Sequence, residues 1–382
     1  MKNKLFALLS VLVILTLLGA CTPAAATPAA AEPTTAAAEP TTAAAPAEAA
    51  NGGEIALLIS AAGTLDDRAF NQGVWTGIKN FAAETGKTYA YYQPVEDTVE
   101  AQVTLADTAI KAGAKFVIIN SDQFKASASK MITAYPDVSF IMYDSVPIDE
   151  NGEQVITDNL LAIQFAEQQS TFLAGYAAVK DGYRKLGFMG GMPVPAVVRF
   201  GYGFVAGIEA ACAEEGLTDV EIMYNYSGDF KPTPENQARA ASWFQGGTEI
   251  IHVAAGPMGA SVFAAAEQNN GVVIGVDSDQ SGESPTIITS AIKDLERVTY
   301  NTLKDWNDGK FEGGRIALYT AKEGGVALVS MKFKNFTQAQ YDELYKMVAD
   351  DVDGISSAIP TDTDYESPEE IPLKCAKLTY VK

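Results

Sequence analysis

Glu54-Ile55-Ala56-Leu57-Leu58-Ile59-Ser60 runs into Gly63-Thr64-Leu65-Asp66-Asp67-Arg68-Ala69-Phe70-Asn71-Gln72-Gly73-Val74-Trp75-Thr76-Gly77. The first stretch is apolar without alternation, as in a strand buried on both faces. Gly63 breaks it, Asp66 or Asp67 can cap the next element, and Phe70, Val74 and Ile78 then fall on one helical face. A strand leading through a polar turn into an amphipathic helix is the unit of a parallel α/β sheet.

The unit recurs downstream. Lys115–Asn120 and Ser139–Asp144 read as strands, with helices near 98–112 and 124–134. A second series follows a helical stretch from Gln164 to Val179. Its strands are 185–190, 220–224, 249–255 and 272–277, separated by helices near 199–215, 233–245 and 259–269. Two α/β series of similar size, with no long linker between them, predict two lobes facing one another. Polar residues gather at the strand ends: Asp67 after the first, Asn120 and Asp122 after the second, Asp144 after the next, and Gly256 and Asp277 in the second series. Open α/β sheets bind ligands beyond the carboxyl ends of their strands, so the cleft between lobes is the candidate site.

The N-terminus carries an address. Lys2 and Lys4, an apolar run from Leu5 to Leu18, and Leu18-Gly19-Ala20-Cys21 have the layout of a secretory signal. The apolar run falls short of the roughly 20 residues of a membrane span. Leu-Gly-Ala-Cys resembles the bacterial lipobox, which implies lipidation of Cys21. From Thr22 to Ala50 every residue is Ala, Thr, Pro or Glu, a composition unable to bury a core and read as a tether. Fully extended, it could reach ~90 Å from a membrane.

Composition narrows the chemistry. The formal net charge of −21 argues against nucleic acid, which requires clustered cations. His252 is the only histidine and lies in the apolar run Glu249–Ala255, where it reads as structural. Histidine zinc sites and Ser-His-Asp triads are thereby excluded. Neither a metal site nor a cofactor is expected, and no catalytic residue is assigned. Cys212 and Cys375 either pair or remain two buried thiols, since connectivity does not follow from sequence. Asp277-Ser278-Asp279 mimics the start of a calcium loop, but Ile288 stands where the bidentate Glu is needed.

Asp67-Arg68-Ala69-Phe70-Asn71-Gln72 resembles a block of the basic membrane protein family, whose best understood members are purine nucleoside receptors feeding ABC importers. Phe172-Leu173-Ala174-Gly175, Gly203-Phe204-Val205-Ala206-Gly207, and Gly275-Val276-Asp277-Ser278-Asp279-Gln280 followed by Thr289–Lys293 resemble further blocks, in order. The resemblance implies a type I periplasmic-binding-protein fold, with two Rossmann-like three-layer α/β/α lobes and the ligand cleft between them. The expected organisation is a signal peptide over 1–20 and a lipidated Cys with tether over 21–53. Lobe 1 is expected from 54–163 with about 290–318, and lobe 2 from 164–289 with about 319–382.

The resemblance also implies a site. Asp277 and Lys293 would hold a ribose, Asp144 and Asp67 would supply further ligand acids, and Asn71 and Gly256 would line the cleft. Phe230, with Tyr226 as the alternative, would stack on a base. The implied protein is a monomeric, lipid-anchored, extracytoplasmic receptor that closes on a nucleoside and delivers it to a permease and ATPase. Alternatives are the same fold binding a sugar, flavin or free base, a nucleoside-hydrolysing enzyme, or a sensor or adhesin.

Overall fold

The computed structural model describes residues 52–382; Cys21, the signal segment and the tether lie outside the described residues. The first sheet begins with β1 (Ile55–Leu58), followed by α1 (Phe70–Thr85), β2 (Tyr89–Tyr92), α2 (Val99–Lys111), β3 (Phe116–Ile119), α3 (Lys125–Ala134), β4 (Ser139–Tyr143) and β5 (Leu160–Phe165). The chain then crosses into α4 (Glu167–Asp181), β6 (Lys185–Gly190), α5 (Pro195–Glu215), β7 (Glu221–Tyr226), α6 (Pro234–Gln245), β8 (Ile250–Ala254), α7 (Gly259–Asn269), β9 (Val272–Asp277) and β10 (Ile287–Lys293). It returns through α8 (Leu295–Asn307) and β11 (Arg315–Tyr319), and crosses a third time into β12 (Val326–Val329), α9 (Gln338–Ala349) and β13 (Lys377–Tyr380).

The two sheets have strand orders β11-β5-β4-β3-β1-β2 and β12-β10-β9-β8-β6-β7-β13. Pairing is parallel throughout except between β10 and β12. The central strands β1, β3 and β8 are buried on both faces, which is why their sequences run apolar without alternation. The crossings fall slightly later than the expected limits at 163 and about 290. Phe165 still pairs with Tyr319 in the first sheet, and Ile292 with Asp277 in the second, so the ladders carry both strands past those points.

Glycines bring α4 and α5 into backbone contact. A Cβ at Gly175 would lie 2.3 Å from the Phe204 carbonyl oxygen, one at Gly203 2.2 Å from that of Gln168, and one at Gly207 2.0 Å from that of Phe172. The Leu-Ala-Gly and Gly-Phe-x-x-Gly blocks are therefore helix-packing devices.

Cys212, on α5, is bonded to Cys375, just before β13, across 163 residues of sequence. This settles the choice between a disulfide and two thiols. Such a cross-link typically contributes about 2–4 kcal/mol, largely through the unfolded chain. Replacing both cysteines by Ser is expected to lower the thermal midpoint by several degrees in calorimetry. An unchanged midpoint would mean that the C-terminal segment is held by packing alone.

His252 is fully buried among Phe188, Phe200 and Phe204, with Nδ1 3.2 Å from the Ile274 carbonyl oxygen. Burial pushes its pKa down to about 4, so the ring is neutral at physiological pH.

Candidate functional site

The carboxyl ends of both sheets open onto one cavity, and Asp67, Asn71, Asp144, Phe230, Gly256, Asp277 and Lys293 all line it. Lys293, the last residue of β10, lies at its floor and is 4% exposed. Its ammonium is 2.5 Å from Asp144 Oδ2, 3.2 Å from Asp277 Oδ1 and 3.5 Å from Glu167 Oε1. Burial opposes the charge, but the attraction of Asp144, Asp277 and Glu167 outweighs it and holds the lysine pKa above its usual value. The Asp277 carboxyl is pushed up by burial, an effect that Lys293 only partly offsets.

Asp144 and Asp277 belong to different sheets, yet they meet on this one cation. Asp144 directly follows β4 and Asp277 ends β9, each with a left-handed backbone, φ 59° and 63° respectively. Non-glycine residues rarely adopt this region, Asp and Asn being among the more tolerant, and such strain concentrates at functional sites. Asp144 Oδ1 is buried without a hydrogen-bond partner, as are Asn120 Oδ1 and Gln123 Oε1, and all three residues line the cavity. Asp277 Oδ1 also lacks a well-aligned donor, its approach to Lys293 being ionic rather than a directed hydrogen bond. Three acceptors with no donor of their own, beside an Asp277 oxygen met only by Lys293, favour a ligand rich in hydroxyl or amide hydrogens.

The two other expected polar residues are already engaged. Asp67 Oδ1 accepts from the backbone N–H of Ala69 and Gln72, and Oδ2 from that of Asn71, so the carboxylate caps α1. Burial still pushes its pKa up to about 6 despite these donors. The Asn71 amide donates to the Thr64 carbonyl and accepts from Asn120 Nδ2 at 2.8 Å. Both residues shape the wall more than they offer free groups.

The walls are aromatic. Phe230 lines the cavity, whereas Tyr226 turns away and shares a 2.7 Å hydrogen bond with Tyr224. Of the two stacking candidates, Phe230 is the one that lines the cavity. Its ring lies over Gly191, where a Cβ would come within 2.3 Å of it. Phe70, placed by the sequence on one helical face with Val74 and Ile78, and Phe200 also line the cavity, their ring centroids 4.4 and 5.4 Å from the Lys293 ammonium. Both are cation–π contacts that helical periodicity conceals.

Bonds across the cleft draw the lobes together. Ser278 Oγ donates to the Ala69 carbonyl and Gln280 Nε2 to that of Arg68, each at 3.0 Å, while Arg68 pairs with Glu283. The cavity between them measures about 130 Å³.

Two α/β lobes, three crossings and a cleft at the strand ends define the type I periplasmic-binding-protein fold. The fold is shared with a solute-binding protein of an ABC transporter system from Aeropyrum pernix K1, at 22% identity and a TM-score of 0.66 over 80% of this chain and 89% of that one. A second such protein, from Conexibacter woesei DSM 14684, gives 19% identity and a TM-score of 0.63 over 81% of this chain and 99% of that one. The chain belongs to the Bmp family of PnrA-like ABC transporter substrate-binding proteins, whose pattern it matches over residues 54–358. It is 29% identical over 322 residues to the ABC transporter nucleoside-binding protein BmpA of Lactococcus lactis subsp. cremoris, covering 78% of this chain and 87% of that relative. It is 32% identical over 292 residues to basic membrane protein A1 of Borrelia garinii subsp. bavariensis, covering 72% and 79%.

Proposed function

We propose that this chain is a lipid-anchored extracytoplasmic receptor that closes on a nucleoside, a purine nucleoside by preference, and passes it to an ABC permease and ATPase. The observation that carries this reading is Asp144 and Asp277, from opposite lobes, held on the single ammonium of Lys293. A ribose diol offers two adjacent O–H donors to such a carboxylate pair, while Phe230 provides a flat wall for a base. The Lactococcus lactis relative, a nucleoside-binding protein, supports the same ligand class. Asp67, Asp144 and Asp277 outnumber Lys293 in the cavity lining, so a phosphate group would meet net repulsion and the unphosphorylated nucleoside is preferred.

Ligand contacts from both lobes favour the closed state, which is the form a permease can distinguish. A cavity of about 130 Å³ is below the roughly 300–1,000 Å³ of most small-molecule sites, so the lobes must part for entry and settle around a bound nucleoside. The small volume also favours a second reading, a free pentose or base. Lipidation at Cys21, supported by the Leu18-Gly19-Ala20 that precedes it, would keep the cleft near its permease on the tether, at high effective concentration.

Calorimetry with inosine, guanosine, adenosine and cytidine, beside ribose and hypoxanthine, tests the proposal. Heat of binding from at least one purine nucleoside is expected, and silence from all four nucleosides would overturn it. Mass spectrometry of the mature N-terminus should find a diacylglyceryl group on Cys21.

A further inference from the structure

Glu167 and Arg199 lie behind the cavity and do not line it, yet they are tied to its floor. Glu167 is fully buried, at 0% exposure. Its Oε2 accepts from Arg199 Nε at 2.6 Å, and Arg199 Nη1 donates to Asp362 Oδ1 at 2.8 Å. The planar guanidinium is thus gripped on two edges, which fixes the carboxylate it holds. The other oxygen, Oε1, has no hydrogen-bond partner and stands 3.5 Å from Lys293 Nζ. A carboxylate buried this deeply is costly unless its surroundings demand it.

We infer that Glu167 and Arg199 are positioning residues for the hydroxyl-binding end of the site, acting through Lys293. A lysine ammonium is a compact charge on a flexible four-carbon stem. Asp144 and Asp277 hold it from the cavity side, and Glu167 holds it from behind. With that third anchor in place, the ammonium cannot slide between the two aspartates, and their free oxygens stay directed at the ligand. The anchor is also placed at the crossings between lobes. Glu167 is the first residue of α4, directly after the first crossing, and Lys293 is the last of β10, directly before the second. Asp362 extends the chain of contacts to the C-terminal segment and remains 20% exposed as a side chain.

This inference rests on the ribose reading of Asp144, Asp277 and Lys293, and its test separates the two. The probes are inosine and 2′,3′-dideoxyinosine, titrated into the wild-type protein and into Glu167→Gln. Glutamine keeps an acceptor for Arg199 but turns a neutral group toward Lys293. Inosine affinity is expected to fall about tenfold, the weight of one charge-assisted contact, while dideoxyinosine affinity changes by less than about twofold. A merely structural role would weaken both ligands equally, and that result, or no loss at all, would overturn the inference. Should Glu167→Gln fail to fold by circular dichroism, Asp362→Asn, at the partly exposed end of the chain, decides. It should reproduce the selective loss in smaller measure, and an equal loss or none would overturn the inference. A wild-type protein that binds inosine no better than its dideoxy analogue would remove the ribose reading and this inference with it. A wild-type preference that survives the substitutions removes the inference alone.

Discussion

Asp277→Asn is expected to lower affinity for a purine nucleoside about a hundredfold while leaving affinity for the free base within a few-fold, because a charged acceptor contributes about 1.5–3 kcal/mol to a hydrogen bond it alone can make. The fold should tolerate the change. Asn is among the residues most at ease in the left-handed region, where Asp277 sits at φ 63°. Burial already disfavours the Asp277 charge, and Lys293 keeps Asp144 and Glu167 as partners. A thermal midpoint close to wild type, beside a collapse of nucleoside binding in calorimetry, is the expected pair of results. Retained nucleoside affinity would remove Asp277 from the ligand. An equal loss for nucleoside and base would place the carboxylate on the base and not on the sugar.

The fold was legible where strands are buried on both faces. β1, β3, β4, β6, β8 and β9 carry apolar runs bounded by polar turns, and each falls where those runs predict a strand, as does the less buried β7. Of the elements hidden from such reading, β2, β11, β12 and β13 lie at sheet edges, whereas β5 and β10 are paired on both sides. β2 is Tyr-Ala-Tyr-Tyr at a sheet edge, and β11 leaves Ile316 and Leu318 exposed at another. β5 ends in Gln164-Phe165, which reads equally well as the start of the helix that follows. Short segments with one open face lack the pattern that burial imposes.

The site was legible for a related reason. A parallel sheet delivers every strand end to one side, so acids at successive strand ends converge without any local motif. Asp144 and Asp277 could be named in this way, and Lys293 by its place in a family block. Glu167 and Arg199 could not. Glu167 opens a helix, where an acid is the ordinary choice near the N-terminus, and its partners lie 32 and 126 residues further along the chain. The single hint is an arginine within the buried face of α5, since Arg is almost never fully buried unless paired.

Gly207→Ala should cost about 3 kcal/mol or more, at the upper end of overpacking penalties, and Gly207→Val should leave no stably folded second lobe. The added Cβ would stand 2.0 Å from the Phe172 carbonyl oxygen. That neighbour is helix backbone, which cannot turn aside as a side chain can. Relief requires α4 and α5 to separate, and Gly175 and Gly203 show that the whole crossing is built at the same close spacing. Gly216 is the control. It caps α5 at φ 65° with nothing within 4 Å of a Cβ, so Gly216→Ala meets only backbone strain of about 1 kcal/mol. Urea denaturation of the two variants distinguishes the mechanisms, and a Gly207→Ala midpoint no lower than that of Gly216→Ala would show that the helices part freely. Separation would have a second consequence, because Glu167 lies on α4 and Arg199 on α5, joined by a 2.6 Å bond. Any Gly207→Ala protein that still folds should therefore also bind inosine more weakly, whereas Gly216→Ala, on the same helix but without a clash, should bind it as the wild type does.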